Sequence, residues 1–148
     1  MDTFESDRDR AAVANERAVA VHIIPAQGFP PPKGPFSYAV EARGLIFVSG
    51  HAATHPRSGD FVPGDIRQET ELTLRNIARI LEQARSGLQH VVKCSVFLRD
   101  IEEFSDMNDV YSRFFPDEAT RPARTTIQAV LGSGIRIEID AIAEVSGA

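Results

Sequence analysis

The closing segment of the chain, residues 135–145, alternates apolar and mostly charged side chains with a period of two. That period predicts a β-strand with one face in the core and the other face polar. Residues 124–128 place polar side chains on one face of the preceding strand by the same rule. A sheet with a polar front needs helices on its other side only, which predicts an α+β domain of two layers. The alternating residues are Ile135, Ile137 and Ile139 against Arg136, Glu138 and Asp140, with Arg124, Thr126 and Gln128 on the preceding strand.

The other patterns predict the element order β-ββ-α-β-α-ββ. Asp65 is the predicted N-cap of a long amphipathic helix that runs to about residue 85 and is ended by Gly87. Residues 101–115 predict a second amphipathic helix. The strands that flank the first helix are expected to run parallel, and a tight hairpin at residues 132–134 is expected to join the last two strands. The predicted strands are residues 19–23, 36–42, 45–50, 91–98, 124–131 and 135–145.

Length, charge and cysteine content narrow the class of protein. The 148 residues predict one domain at residues 19–148, preceded by a flexible N-terminal tail at residues 1–18. The formal net charge of −5 argues against a non-specific nucleic-acid binder. Cys94 is the single cysteine, which favours a reducing cytoplasm. No apolar run approaches the length of a membrane span.

Arg124 is the most informative candidate for chemistry. It begins a predicted strand, and Glu138 lies on the strand that follows. A fixed guanidinium beside a carboxylate can bind an acidic small molecule through two hydrogen bonds and direct a water at it. The simpler alternative is a surface Arg at the start of a strand.

Six short motifs occur along the chain in one order. They are Gly34-Pro35-Phe36-Ser37, Phe47-Val48-Ser49-Gly50, Val92-Lys93-Cys94-Ser95-Val96-Phe97-Leu98, Asn108-Asp109-Val110-Tyr111, Pro122-Ala123-Arg124-Thr125-Thr126 and Ile137-Glu138-Ile139-Asp140-Ala141-Ile142-Ala143. With these motifs the chain resembles the RidA/YjgF family of enamine/imine deaminases over residues 19–145.

The resemblance implies a homotrimer of chorismate-mutase-like subunits. Each subunit would be a two-layer sandwich with a mixed sheet and two helices on one face, and the active sites would lie in clefts between neighbours. Members hydrolyse reactive enamines and imines such as 2-aminoacrylate to 2-oxo acids and ammonia, without a metal or an organic cofactor. The implied partners are a small carboxylate-bearing substrate and other copies of the chain. The sequence itself predicts no membrane partner, and its negative charge argues against a nucleic-acid partner.

The resemblance also implies roles for two charged residues and one aromatic residue. Arg124 matches the residue that binds the substrate carboxylate, and Glu138 matches the acidic residue that positions or activates the hydrolytic water. Phe36 stands where many members have Tyr, so a proton relay through that hydroxyl is absent. Tyr38, two positions on, either supplies a displaced hydroxyl or packs, and packing is the favoured interpretation.

Four further positions match residues that line the family's substrate site. Ser49 and Gly50 match the pocket segment near the substrate. Asn108 matches an Asn of the cleft, although an exposed helix Asn is an equal alternative. Thr126 stands where some members have Cys.

Several residues have simpler interpretations. Cys94 is expected to be a buried, inert thiol. His51 and His55 have the spacing of a helical zinc pair, but Pro and Gly nearby predict a loop, so no metal site is expected. For Glu138, the alternative to the water-positioning role is an ion pair with Arg136 of a neighbour.

Two functional alternatives remain beside a general enamine/imine deaminase. The departures at Phe36 and Gln128 are compatible with a dedicated catabolic deaminase of the aminoacrylate or 2-aminomuconate type. Some family members are described as endoribonucleases or as ligand-binding proteins, and the acidic net charge argues against the first of these.

Overall fold

The computed structural model describes residues 20–147, so the predicted tail at residues 1–18 and residue 19 of the predicted first strand lie outside the described residues. The element order agrees with the prediction. The elements are β1 (Val21–Ile23), β2 (Ala39–Ala42), β3 (Leu45–His51), α1 (Ile66–Gln83), a 3-10 turn (Leu88–His90), β4 (Val91–Leu98), a second 3-10 turn (Ile101–Glu103), α2 (Phe104–Phe114), β5 (Ala123–Gln128) and β6 (Ile137–Glu144).

The strand order corrects one prediction. The six strands form one mixed sheet in the order β1-β2-β3-β6-β4-β5, so β5 and β6 are not neighbours and the expected hairpin at residues 132–134 is wrong. β6 lies antiparallel between β3 and β4, while β5 pairs parallel with β4 at the edge. β6 buries every second residue and therefore suits the centre, whereas most of β5 is exposed. β3 and β4 run parallel as expected, with β6 between them.

Helix α1 begins where the sequence predicts. The Asp65 carboxylate accepts a hydrogen bond from the Gln68 backbone N–H, and the Gln68 side chain accepts one from the Asp65 backbone N–H. This reciprocal capping box satisfies two N–H groups that the first turn leaves unpaired. The helix ends at Gln83, close to the predicted end at about residue 85, and Arg85 instead of Gly87 takes the left-handed conformation (φ 56°) that often follows a helix.

The core lies between the sheet and the two helices, both on one face. Ile137 and Ile139 of β6 are fully buried on that face. α1 contacts both α2 and the central strands β3 and β6. The largest fully buried apolar side chains are Ile46, Leu74, Ile77, Ile80, Leu81, Val96, Leu98, Met107, Ile137 and Ile139.

The opposite face of the sheet, here called the front, has no helix on it among residues 20–147. The register places Glu138 beside Phe97 and Asp140 beside Ser95 on this face. Apolar side chains lie among the polar ones: Phe47 is 40% exposed and Ile127 is 46% exposed. The front is therefore neither a hydrophobic core nor a purely polar surface.

Arg136 does not lie on the front with Glu138, so the prediction that Arg136, Glu138 and Asp140 share one face is wrong for Arg136. It precedes β6 and binds helix residues: its Nη1 lies 2.7 Å from Glu103 Oε1, and its backbone N–H donates to Glu69 Oε1 at 3.0 Å. Its Nε donates to the Gly64 carbonyl. Glu69 is almost fully buried, so these contacts fix the start of β6 against α1.

Candidate functional site

Arg124 lies on the helix side of the sheet. It pairs in register with Cys94 of β4, a core residue, so its side chain points to the face that α2 covers. Its guanidinium carbon stands 4.6 Å from the ring centre of Tyr111 and 5.4 Å from that of Phe104. Aromatic faces attract a guanidinium and hold its plane in place. Among residues 20–147 its N–H donors have no hydrogen-bond or ion-pair partner, which leaves them available to a ligand.

A cavity of about 370 Å³ lies beside Arg124, between the end of α2 and the start of β5. Asn108 is among its lining residues. The lining consists of Asn108, Tyr111, Ser112, Arg121, Pro122 and Arg124, here called the Arg124 pocket. Its volume suits a small metabolite, and it contains two guanidinium groups and no carboxylate.

Thr126 lies two residues beyond Arg124 on the same side of β5, beside Val96 of β4. Its hydroxyl oxygen is buried and has no hydrogen-bond partner in the described part of the chain. Asn108, Arg124 and Thr126 therefore lie on the α2 side of the sheet edge.

A second set of predicted site residues lies apart from the Arg124 pocket. Glu138 points to the front, and a Cβ built on Gly50 would come within 3.4 Å of its Oε2. Gly50 thus leaves room for the carboxylate. Ser49 precedes it and donates its hydroxyl to the Ser37 carbonyl at 2.6 Å, and Ser37 follows the half-exposed Phe36 in the sequence. We call Phe36, Ser49, Gly50 and Glu138 the Glu138 group.

Within one chain, Arg124 and Glu138 face opposite sides of the sheet. In register, Glu138 pairs with Phe97, and Phe97 pairs with Ile127 on the front, whereas Arg124 pairs with the buried Cys94. The expectation that both groups act side by side is therefore wrong for a single subunit. Strand parity predicted which residues of β5 share a face, but the face itself depends on the register between β4 and β5.

Two residues near the pocket are unsuited to nucleophilic chemistry. Burial raises the pKa of the Cys94 thiol to about 11. Burial also raises the pKa of the Tyr111 hydroxyl, and the neighbouring Cys94 raises it further. Both groups are therefore protonated near neutral pH. The expected burial of Cys94 is confirmed.

Phe104 and Tyr111 were given no role beside Arg124 in the sequence analysis, although both rings contact its guanidinium. Tyr111 is buried and also packs on Phe115, whereas Phe104 is 38% exposed. The signal was available, since Tyr111 lies three residues after Asn108 and so falls on the same helix face. Arg121 was likewise given no role, although it lines the same pocket.

Tyr38, His51 and His55 make packing and turn contacts in the structure. Tyr38 packs between the rings of Phe29 and His51, with ring centres 5.6 Å apart in both pairs. His51 ends β3 and is buried, while His55 accepts backbone N–H groups within a turn. Across residues 20–147, no group of three His, Cys, Asp or Glu side chains is placed to hold a metal ion.

The pairing of Glu138 with a neighbour's Arg136 is not favoured, because Arg136 is already bound to Glu69 and Glu103 of its own chain. Within the described residues, neither helix has the length and apolar character that crossing a lipid bilayer demands.

Comparison with known proteins identifies the family. A family model described as Endoribonuclease L-PSP matches residues 27–145. The chain is 46% identical over 114 residues to the mitochondrial protein mmf2 of Schizosaccharomyces pombe, covering 74% of this chain and 87% of the relative. It is 42% identical over 122 residues to 2-iminobutanoate/2-iminopropanoate deaminase of Bos taurus, covering 82% and 88%.

Solved structures agree with these sequence matches. The crystal structure of E. coli TdcF with bound serine superimposes with a TM-score of 0.76 at 32% identity, covering 84% of this chain and 98% of that one. The agreement in sequence extends over most of the chain, and the α+β architecture is shared. The chain therefore belongs to the YjgF/RidA family.

Proposed function

We propose that this protein hydrolyses reactive enamines and imines of 2-amino acids, such as 2-aminoacrylate, to 2-oxo acids and ammonia. The observation that carries the proposal is that the guanidinium of Arg124 is fixed in position but has no anionic partner among the described residues. It lies against the rings of Phe104 and Tyr111 at a cavity, with no carboxylate of the described residues paired to it. Such a group is preorganised to bind the carboxylate of a small substrate through two hydrogen bonds.

We further propose that the working site forms between subunits of a homotrimer. Arg124, Asn108 and Thr126 would come from one subunit, and the Glu138 group would come from its neighbour. Support comes from the opposite orientation of Arg124 and Glu138 in one chain and from the uncovered, partly apolar front. A site that needs both groups then requires a second copy.

The chemistry asks for little beyond positioning. An enamine gains a proton at carbon to become an imine, water adds to the C=N carbon, and ammonia leaves as the carbonyl forms. Glu138 would orient the water and accept its proton, while Arg124 fixes the carboxylate. These imines hydrolyse without a catalyst, so orientation and proton transfer can account for the rate gain. A buried Cys94 and a protonated Tyr111 are consistent with a site that lacks a nucleophile.

A relative with a related activity supports this assignment. The bovine protein is named for two 2-imino acids that carry one carboxylate each. Serine, bound in the E. coli structure, also presents an α-carboxylate. Both ligand classes suit the free guanidinium of Arg124. The single buried cysteine is compatible with a reducing compartment such as the cytoplasm, which we propose for this chain.

The first test removes the guanidinium. Arg124→Ala is expected to lower kcat/KM on the imine of pyruvate about 10- to 100-fold, since a charged hydrogen bond contributes about 1.5–3 kcal/mol. Imine loss is measured as reduced capture by semicarbazide. The matched control is Arg113→Ala, an exposed Arg on the same helix as Tyr111 that does not line the pocket. Equal rates for wild type and Arg124→Ala would refute the assignment.

An endoribonuclease activity is the second candidate, because the matching family model carries that description. The net charge of −5 opposes it, since binding to RNA phosphates depends on cationic surface. RNA cleavage that survives in Arg124→Ala, together with no imine hydrolysis by wild type, would favour it over the deaminase.

A further inference from the structure

We propose that Arg121 is a second anion-binding group of the Arg124 pocket and that the preferred substrate is a dicarboxylate, an enamine or imine with a second acidic group. The inference rests on the proposed function and names the substrate class of that same site. Arg124 would bind the carboxylate beside the reacting carbon, and Arg121 would bind the distal carboxylate.

The charge of the Arg124 pocket is the first observation. Both guanidinium groups line one cavity of about 370 Å³, and the remaining lining residues are uncharged. Two like charges in so small a space repel each other unless an anion lies between them. A monocarboxylate neutralises one charge, whereas a dicarboxylate neutralises both.

The orientation of Arg121 is the second observation. Its Nε donates to the Phe115 carbonyl at 2.9 Å, which anchors the inner end of the guanidinium just beyond α2. Its Nη1 lies 3.7 Å from Glu118 Oε1, too far for a hydrogen bond, and the Glu118 side chain is 87% exposed. Such an exposed pair contributes little and is readily displaced. The outer nitrogens of Arg121 therefore remain available to a ligand.

The neutral polar side chains of the pocket complete the argument. The side-chain amide of Asn108 has no hydrogen-bond partner within residues 20–147, so it is free to meet a ligand. Ser112 already donates to the Asp109 carbonyl, which leaves its oxygen as an acceptor. The wall thus offers two cationic forks and one free amide, which suits two carboxylates joined by a short carbon chain. The distal carboxylate takes no part in bond making, so the water addition and ammonia loss are unchanged.

The test compares two imines made in situ. D-amino-acid oxidase acting on D-alanine supplies a monocarboxylate imine, and D-aspartate oxidase acting on D-aspartate supplies a dicarboxylate imine, each with catalase present. Wild type is expected to have the higher kcat/KM on the dicarboxylate. Arg121→Gln should lower that value about 10- to 100-fold, through a higher KM, as expected for loss of one charged hydrogen bond. The monocarboxylate imine should lose less than about threefold.

The variants separate ligand binding from support of the fold. Gln can still donate to the Phe115 carbonyl, and Arg121→Lys keeps the charge and should retain part of the preference. Arg113→Gln, the matched control on α2, should leave both imines unchanged. Equal losses on both imines in Arg121→Gln, or no loss on either, would overturn the proposal.

A binding measurement keeps the two proposals distinguishable. If wild type hydrolyses neither imine, the deaminase assignment fails. The proposed dicarboxylate site is then tested by calorimetry with 2-oxoglutarate and 2-oxobutanoate. Tighter binding of 2-oxoglutarate that disappears in Arg121→Gln would support the dicarboxylate site. Equal binding of both acids by wild type would refute it.

Discussion

At the scale of single residues, Arg124 is oriented by contacts with aromatic rings, not by ion pairing. The rings of Tyr111 and Phe104 hold the guanidinium while its N–H groups stay available. An ion pair would also fix an Arg, but it would occupy the donors that a substrate needs. Arg136 illustrates that other use, since its guanidinium is bound to Glu103 and serves the fold.

His51 provides a pH-dependent prediction at this scale. Its Nδ1 lies 2.7 Å from the Ser49 carbonyl, so this nitrogen carries the proton and donates. Burial lowers the pKa of His51, and the hydrogen bond to Ser49 offsets only part of that effect. The unfolded chain, with a His pKa of about 6.5, therefore binds the proton more readily than the folded one.

The sign of the effect follows from linkage. The contribution of a neutral His51 to the free energy of unfolding is full above about pH 6.5 and falls as pH drops from there toward the lower folded pKa. His51→Asn keeps an N–H donor but does not titrate. The free energy of unfolding, measured with urea, should therefore fall less between pH 8 and pH 5.5 in this variant than in wild type. The exposed His22→Asn is the control. Identical losses in wild type and His51→Asn would contradict the prediction.

At the scale of elements, the capping box of α1 should be measurable. Asp65→Ala removes the acceptor for the Gln68 N–H and should lower the free energy of unfolding by about 1 kcal/mol. For a domain of this length that corresponds to a fall in Tm of about 2–4 °C. Thermal unfolding followed by circular dichroism measures it.

The matched control for the cap is Asp60→Ala. Asp60 is also an acidic loop residue near α1, but its side chain is largely exposed and its pairing with Lys33 is at 3.8 Å. Its removal should change the stability by only a few tenths of a kcal/mol. A fall in Tm for Asp60→Ala as large as that for Asp65→Ala would mean that the cap contributes nothing specific.

Elements whose signal is local were predictable, whereas their pairing was not. The start of α1 at Asp65 and the bounds of β4 (Val91–Leu98) follow from neighbouring residues, and both agree with the structure. The turn residues 132–134 indicate that the chain bends there, but they carry no information on which strand β6 then joins. β6 passes across β4 to the sheet centre because its apolar face is buried there.

In the candidate site, too, the residue types could be predicted from the sequence, whereas their placement on the two faces of the sheet could not. The candidate residues were chosen from the motifs, and of these Asn108 and Arg124 line one pocket. The separation of Arg124 from Glu138 depends on how β5 and β6 each pair with β4, and β4 is separated from both in the sequence by α2. Sequence alternation alone could not assign those two strands to faces.

At the scale of the whole molecule, the front of the sheet is the feature that needs explanation. It combines exposed apolar groups such as Phe47 and Ile127 with the carboxylates of Glu138 and Asp140. Mixed surfaces of this kind are typical of subunit interfaces that also enclose polar clefts. If the β5 edge of each copy packed on the front of its neighbour, each Glu138 group would face a neighbour's Arg124 pocket, as proposed above.

The last prediction tests this arrangement by combining two impaired variants. Arg124→Ala and Glu138→Gln are each expected to keep about a tenth of wild-type activity or less. When equal amounts are unfolded and refolded together, about three quarters of the trimers contain both variants, and each of these has one intact site in three. The mixture should therefore recover roughly a quarter of wild-type activity.

The control is a mixture of the two variants that have been refolded separately. As long as subunits do not exchange, this mixture should show only the low activity of the single variants. Size-exclusion chromatography with differently tagged variants verifies that mixed trimers form. If mixed trimers form and activity stays at the level of the single variants, Arg124 and Glu138 do not meet across an interface. Recovery, in contrast, requires that one subunit supplies the guanidinium and its neighbour the carboxylate, since the sheet separates the two groups within each chain.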